Sequence, residues 1–161
     1  MRRFNQFIAL VILSSCAFLA IAATPAGNDD ITVEFYLHRD QKAARETVKQ
    51  EFATLGVTKV RPLLFPAPAV PPTNIGIGRE VPADVARLAI KLALAHNGGI
   101  TLLLPEERVG RRYIAAGTMM FDLIVQVPVT PADVERLLDP GLSTDQFHEL
   151  YRRLTGEKPL P

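Results

Sequence analysis

Two stretches of the chain, residues 31–60 and 74–104, each show a strand pattern, a helix pattern and a second strand pattern in that order. Apolar and polar residues alternate over residues 31–38, which is the period-two pattern of a half-buried strand. Residues at helical spacing follow, with Asp40 as the predicted cap and Gly56 as the predicted end. A short strand completes this first β-α-β unit.

The second stretch repeats this order. Its first strand covers residues 74–78, its helix covers residues 82–96, and a strongly apolar strand covers residues 100–104. The sequence Asn-Gly-Gly at residues 97–99 is typical of a helix end. Two such units predict a sheet with right-handed crossover connections.

Two further strands are predicted at residues 113–120 and 123–129, and we interpret them as a hairpin. Two helices close the chain. Thr130 and Ser143 precede them as caps, and Gln146 completes a capping-box pattern for the second helix. The C-terminal part of the domain is therefore predicted to be a helical pair.

The helix starts at residues 82–88 and 131–137 are identical at six of seven positions. A duplicated strand-to-helix unit would explain the match. Proline and aspartate are also common in the first turn of any helix, and the match does not extend further along the chain. We therefore favour two independent helix starts.

Residues 62–73 between the two units form a proline-rich connector, because closely spaced prolines interrupt both helices and central strands. Five prolines lie there: Pro62, Pro66, Pro68, Pro71 and Pro72. A stiff extended connection is the main expectation. Recognition of this segment by a partner is the alternative.

Together these patterns predict one α+β domain over residues 31–156. Its core is a mixed sheet from two βαβ units, which resemble a ferredoxin-like sandwich, with an added β-hairpin and a C-terminal helical pair. Residues 24–30 form a spacer before it, and residues 157–161 a flexible tail after it. An architecture of this kind hosts many unrelated functions, so it assigns none.

Residues 1–23 have the three parts of a signal peptide. Arg2 and Arg3 precede an apolar run, and Ala20 and Ala22 form an A-x-A arrangement that predicts a cut before Ala23. The sequence therefore predicts a periplasmic or secreted protein.

Two alternatives to a cleaved signal peptide stay open. The residues up to Cys16, Leu-Ser-Ser-Cys, resemble a lipobox, which would make the protein a lipoprotein. The apolar run is also close to the lower limit of about 17 residues for a membrane-spanning helix, so an uncleaved anchor is the second alternative. We expect contact with a membrane only in these two cases.

The chain that remains after cleavage is about 138 of the 161 residues, which suffices for a hydrophobic core. It contains no cysteine, because Cys16 is the one cysteine of the sequence. Without Arg2 and Arg3 it has 16 basic and 17 acidic residues, a net charge of −1. Nucleic-acid binding is not expected, because it is typically accompanied by a basic patch.

Catalytic side chains are scarce in the predicted mature chain. Its single serine, Ser143, is explained as a helix cap, and a cysteine nucleophile is absent. The three histidines, His38, His96 and His148, do not show metal-ligand spacing. We therefore expect no catalytic residue, no metal site and no cofactor.

The first candidate binding site is the triplet His38, Arg39 and Asp40, which follows the first predicted strand. Ligands of α/β sheets often bind outside the carboxyl ends of strands. A titratable ring, a cation and a carboxylate in one loop suit such a site. The alternative is a solvated loop that contains a helix cap.

The second candidate comprises Gly76, Gly78 and Arg79, between a strand and a helix. Glycines allow close approach of an anionic group, and a helix N-terminus favours anions. A tight turn is the alternative. Arg111 and Arg112 add a cationic loop, for which neighbouring glutamates favour a solvated surface instead.

Two functions are compatible with these features. The first is an exported, non-catalytic binding module of the bacterial cell envelope, whose partner is another envelope protein or a cell-wall component. The second is a small hydrolase or transferase that acts on an anionic substrate through His38 and Asp40. The second function requires these residues to converge with Arg79 or Arg111 in one pocket.

Overall fold

The computed structural model describes residues 27–66, 68–119 and 125–157. The predicted signal peptide, Cys16, the start of the spacer and residues 158–161 of the predicted tail lie outside the described residues. The strands are β1 (Thr32–Leu37), β2 (Lys59–Leu64), β3 (Asn74–Ile77), β4 (Leu102–Leu104), β5 (Tyr113–Ala116) and β6 (Val127–Pro128). The helices are α1 (Ala44–Thr54), α2 (Ala83–His96), α3 (Pro131–Leu137) and α4 (Thr144–Thr155), with 3-10 turns at Arg39–Gln41 and Glu106–Arg108.

The strands form one six-stranded mixed sheet in the order β2-β1-β5-β3-β4-β6. Each predicted βαβ unit forms a parallel pair, β1 with β2 and β3 with β4. Strand β5 joins the two pairs, because it lies parallel to β1 and antiparallel to β3. The predicted α+β class, with a mixed sheet and a C-terminal helical pair, is confirmed.

The predicted hairpin of β5 and β6 does not form. Both edges of β5 are already paired, one with β1 and the other with β3, so no edge is left for β6. Strand β6 pairs instead with β4 at the far edge of the sheet. Part of the predicted hairpin, residues 120–124, lies outside the described residues.

Strand β2 continues to Leu64, beyond the end predicted at Val60. Pro62 lies within it and is the register partner of Phe35. A proline is tolerated here because β2 is an edge strand, and its outer side has no neighbouring strand to which a backbone N–H would have to donate. The Pro62 carbonyl also accepts a hydrogen bond from Arg45 Nε at 3.1 Å. The proline-rich connector is therefore shorter than expected.

The hydrophobic core lies on one face of the sheet, where all four helices pack. Alternate residues of β1, namely Val33, Phe35 and Leu37, are fully buried in it, as the period of two predicts. Burial of each such side chain is worth about 1.5–3 kcal/mol. The stripe of α2 and the apolar residues of α4 complete the same cluster.

The opposite face carries a smaller apolar cluster and one charged pair. Leu104, Val109 and Ala115 form that cluster. Beside it, Arg61 donates to the buried Glu34 carboxylate at 2.7 Å. Burial, and secondarily a hydrogen bond with Glu34, raises the pKa of Tyr113 well above its usual range, so its phenol stays protonated.

Within the described residues, no helix has both the length and the apolar character that crossing a membrane requires.

Candidate functional site

Several loops lie at the edge of the sheet that is formed by the strand ends. Strands β1 and β5 end at this edge, and β3 and β4 begin there, because β3 runs antiparallel to β5. Helix α2 leads from β3 to β4, so its C-terminal end returns to the same edge. A cavity of about 380 Å³ lies here. We call it the edge cavity. Its polar lining residues are His38, Gln41, Thr73, His96 and Asn97.

Asn97 is the unusual member of this lining. It follows α2 directly, and its backbone N–H donates to the Ala93 carbonyl at 2.8 Å as a helix cap. The residue is 7 % exposed, and its Oδ1 and Nδ2 atoms are buried and have no hydrogen-bond partner among the residues that the structure describes. Buried carboxamides nearly always have such partners, since an unpaired polar group lowers the stability of the fold.

Gly117 permits the close packing of this carboxamide. Its φ is +70°, a conformation that side-chain-bearing residues rarely adopt. A Cβ at this position would lie 2.6 Å from Asn97 Nδ2 and 3.0 Å from Pro71 Cβ. The absence of a side chain at Gly117 therefore leaves room for the carboxamide between α2, the end of β5 and the proline-rich segment.

His38 follows β1 and caps the 3-10 turn that comes next. Its ring Nδ1 accepts a hydrogen bond from the backbone N–H of Asp40 at 3.3 Å, and its backbone N–H donates to Gln41 Oε1 at 3.3 Å. The predicted cap Asp40 is therefore wrong, because Asp40 lies inside the 3-10 turn that His38 caps, and α1 begins after Ala43 with no side-chain cap. Since Nδ1 acts as an acceptor, the neutral ring carries its proton on Nε2.

The predicted triplet contributes one residue to the edge cavity. Arg39 and Asp40 are exposed, and the Asp40 side chain is 86 % exposed. The Asp40 carboxylate lies 3.3 Å from His38 Nδ1, a contact that becomes an ion pair only when the ring is protonated. In place of these charges, the fold brings His96 to the cavity, where its ring packs edge-on against Phe35 at a centroid distance of 6.5 Å.

The candidate arginines lie at the other end of the strands, near the start of β1. The Arg112 carbonyl accepts a hydrogen bond from the N–H of Thr32, the first residue of β1, at 3.0 Å, whereas His38 follows its last residue. A strand of six residues spans about 20 Å. Arg111 pairs with Glu80 at 3.2 Å, and Arg79 lies near the same carboxylate. His38 and the arginines therefore do not share a pocket.

Gly76 and Gly78 pack closely against the chain itself. A Cβ on Gly76 would lie 2.8 Å from Val109 Cγ2. A Cβ on Gly78 would lie 1.9 Å from the Gly110 carbonyl oxygen and 2.5 Å from that of Arg111. These two carbonyl oxygens carry partial negative charge and would repel an anion at Gly78. The close packing therefore favours a tight turn and not the predicted anion-binding site.

A second polar cluster, buried beneath the 3-10 turn at Glu106–Arg108, was not predicted. His148 Nδ1 is bonded to the Glu106 carboxylate, and its Nε2 lies 2.7 Å from the Val81 carbonyl oxygen. Arg152 donates to the same carboxylate at 3.2 Å. Both neighbours of the ring accept hydrogen bonds, so both contacts are satisfied when each ring nitrogen carries a proton. This cluster joins α4 to the loop after β4.

Ser143 Oγ accepts the Gln146 N–H at 3.3 Å, so this hydroxyl is a helix cap as predicted. Among the residues that the structure describes, no three His, Cys, Asp or Glu side chains come together to hold a metal ion.

Four polar residues of the edge cavity were not predicted as site residues: Gln41, Thr73, His96 and Asn97. For His96 and Asn97, the sequence His-Asn-Gly-Gly indicates a helix end, and that interpretation accounts for both residues completely. Nothing in their spacing indicates that the Asn97 side chain is buried or that His38 lies at the same cavity.

Comparisons with protein-family models, with curated proteins and with solved structures gave no match for this chain.

Proposed function

We propose that this protein is an exported, non-catalytic binding module that engages its ligand at the edge cavity. The observation that carries the proposal is the edge cavity itself, where His38, Thr73 and His96 from distant parts of the chain come together. The site of action is the periplasm or the cell exterior. The partner is another envelope protein or a cell-wall component that inserts a group into the cavity.

The size of the edge cavity supports binding. The cavity volume of about 380 Å³ is within the usual range of ligand pockets, which is about 300–1,000 Å³.

The geometry gives less support to the alternative, a hydrolase or transferase that uses His38 and Asp40. That function needs Arg79 or Arg111 beside these two residues to hold an anionic substrate. The length of β1 separates the two groups, and Glu80 already pairs with Arg111. His38 also uses Nδ1 to cap its own turn. We therefore do not propose catalysis.

Site-specific photo-crosslinking in cells tests the proposal. A photoreactive amino acid replaces Val70, which lines the edge cavity and is 66 % exposed. The matched control replaces Val125, which is 76 % exposed and lies outside the edge cavity. The full chain is used, so that export proceeds normally.

We expect a reproducible crosslinked product from position 70 and none of the same mass from position 125. Mass spectrometry then identifies the crosslinked molecule. Equal products from both positions, or products from position 125 alone, would contradict a binding site at the edge cavity. Recovery of the protein from the cytoplasmic fraction would contradict export.

A further inference from the structure

The buried cluster of Glu106, His148 and Arg152 joins α4 to the 3-10 turn after β4. Glu106 belongs to this turn, whereas His148 and Arg152 belong to α4. We propose that these three side chains form a proton-dependent clasp, which holds α4 against the turn while His148 carries a positive charge and weakens when the ring becomes neutral. The clasp is independent of the proposed function, because none of its residues lines the edge cavity.

The two neighbours of the His148 ring require two ring protons. Nδ1 is bonded to a carboxylate oxygen of Glu106, and Nε2 lies 2.7 Å from the Val81 carbonyl oxygen. A carbonyl oxygen only accepts hydrogen bonds, so Nε2 carries a proton and donates it. In a neutral ring, Nδ1 would then face the carboxylate with a lone pair. A second proton on Nδ1 removes this repulsion and makes the ring a cation.

Arg152 favours the ring over the carboxyl group as the holder of this proton. Arg152 Nη1 donates to the second carboxylate oxygen of Glu106 at 3.2 Å. A cation beside a carboxylate stabilises its ionised form. Glu106 is therefore the anion of the clasp, and it lies between the two cations His148 and Arg152.

Burial makes the clasp sensitive to the proton on the ring. The side chains of His148 and Glu106 are each 4 % exposed, and that of Arg152 is 18 % exposed. When the ring becomes neutral, the buried carboxylate loses one of its two cations and water does not replace it. Removal of one partner from a buried ion pair is strongly destabilising.

Other charged side chains near the clasp are engaged with different groups. Those that line the adjoining cavity are Arg79, Glu107, Arg108 and Glu157. Arg108 pairs with Glu107 at 3.5 Å, and Arg79 lies 4.0 Å from Glu80. The Glu157 carboxylate accepts the backbone N–H groups of Glu106 and Glu107 at 3.0 and 3.1 Å.

Helix α2, which also packs against α4, does not supply a charge to the ring. Asp84 is exposed and accepts the Val85 N–H at 2.9 Å, and Arg87 donates to the Asp139 and Leu142 carbonyls at 3.2 Å. On α4 itself, the neighbour of the His148 ring is the uncharged Phe147 ring, at a centroid distance of 5.3 Å. The state of the clasp therefore depends on His148 and its two direct partners.

The direction of the pH effect follows from the number of protons bound. An ordinary histidine is neutral above a pH of about 6.5, so the unfolded chain does not hold the second ring proton there. The folded protein holds it, and a state that binds more protons loses stability as the pH rises. One proton changes the unfolding equilibrium constant by about tenfold per pH unit at most.

Urea unfolding of the purified protein, from mildly acidic to mildly alkaline pH, tests the clasp. We expect the unfolding equilibrium constant of the original protein to rise with pH, by up to about tenfold per unit. His148→Gln does not titrate, so this pH dependence should disappear. His96→Gln is the matched control, because His96 is only half-buried and its ring packs against Phe35. This variant should keep the pH dependence of the original protein.

Glu106→Gln separates the charge of the clasp from its hydrogen bonds. The oxygen of a glutamine accepts from Arg152, and its NH₂ group donates to Nδ1 of a neutral His148 ring. The hydrogen bonds are then satisfied without the second ring proton. We expect Glu106→Gln to fold and to lose the pH dependence, and its stability to approach that of the original protein as the pH rises. This variant decides the test if His148→Gln does not fold.

Nitrogen NMR of the isotope-labelled histidine ring records the protons directly. We expect both ring nitrogens of His148 to be protonated at neutral pH, and one of them to lose its proton only as the protein becomes less stable. A folded protein with a neutral His148 ring at neutral pH would overturn the proposal. A pH dependence that is absent from the original protein, or that persists in Glu106→Gln, would overturn it as well.

Discussion

At the scale of single residues, buried polar groups divide into those with partners and those without. Glu106 and His148 are 4 % and 3 % exposed and satisfy each other, with Arg152 adding a second hydrogen bond to the carboxylate. Asn97 is buried to a similar degree, and its carboxamide has no hydrogen-bond partner among the described residues. The first group contributes to folding, whereas the unpaired carboxamide lowers the stability of the fold.

Glu106→Ala is expected to destabilise the protein by about 3–5 kcal/mol, because it leaves His148 and the partly buried Arg152 without their shared carboxylate. Glu107→Ala is the control, since its side chain is 66 % exposed and belongs to the same 3-10 turn. Urea unfolding followed by circular dichroism measures both. Equal effects of the two substitutions would show that the buried cluster adds no stability.

Gly117→Ala is expected to destabilise the protein more than Gly98→Ala does. Both glycines have a positive φ, +70° and +73°, so both substitutions introduce backbone strain of about 1–2 kcal/mol. Only at Gly117 would the new Cβ meet Asn97 Nδ2, at 2.6 Å, whereas nothing lies within 4 Å at Gly98. The additional overpacking costs about 1–3 kcal/mol. Thermal unfolding of the two variants gives the difference, and an effect of equal size would contradict the packing of Asn97 against Gly117.

At the scale of elements, similar sequences begin helices in different ways. The heptapeptides at residues 82–88 and 131–137 differ at one position. Before the second, the Thr130 hydroxyl accepts a backbone N–H one turn later, at 3.2 Å. The first has no capping side chain, and its Ala83 N–H donates instead to Thr144 Oγ1 of α4, at 3.2 Å. A tertiary contact thus completes the start of α2.

The start of α3 makes stability dependent on pH. Hydrogen bonds from Thr130 lower the pKa of Asp133 from the usual 3.8, with a smaller contribution from Arg136. The ionised carboxylate therefore stabilises the fold at pH values above 3.8, and this contribution is lost as the pH falls through the lowered value in the folded protein.

We expect Asp133→Asn to lower the melting temperature at neutral pH and to have a vanishing effect in strong acid. Asp29→Asn controls for the lost charge, because Asp29 is exposed and lies outside the helices. Melting temperatures of the three proteins across this pH range give the comparison. A difference between Asp133→Asn and the original protein that stays constant with pH would contradict the role of the carboxylate.

At the scale of the whole molecule, β5 joins the two βαβ units, and α4 packs on the second unit. Strand β5 pairs with one strand of each unit. Helix α4 crosses the second unit, where the Tyr151 hydroxyl lies 3.2 Å from the Ile75 carbonyl oxygen and 3.0 Å from that of Leu104. Burial raises the pKa of Tyr151 well above its usual range, so this hydroxyl remains a donor. The domain therefore folds as one unit around a single main core.

The proposal of export predicts the mass of the mature chain. We expect intact-mass spectrometry of the protein from the envelope fraction to give a chain that begins at Ala23 and carries no lipid. Ala22→Arg should block cleavage and leave the precursor. Cys16→Ser should yield the same mature mass, because residue 16 is removed with the signal peptide. Loss of processing in Cys16→Ser would indicate a lipoprotein instead.

Sequence reasoning was most successful where structure depends on neighbouring residues. The period of two in β1, the caps Thr130 and Ser143, and the capping box of Ser143 with Gln146 all follow from contacts within a few residues. The two βαβ units follow from the order of such elements. Of the edge cavity, only His38 was predicted, because it directly follows a predicted strand.

By itself, the sequence determined the helices, most of the strands and the α+β class, since hydrophobic period and capping are local properties. The tertiary structure alone decided that β5 lies between the two units, that His148 meets Glu106 across 42 positions of the chain, and that Asn97 is buried at a cavity. These outcomes depend on which surfaces from distant parts of the chain pack together. Such packing can bury a single polar residue without changing the hydrophobic period of the sequence around it.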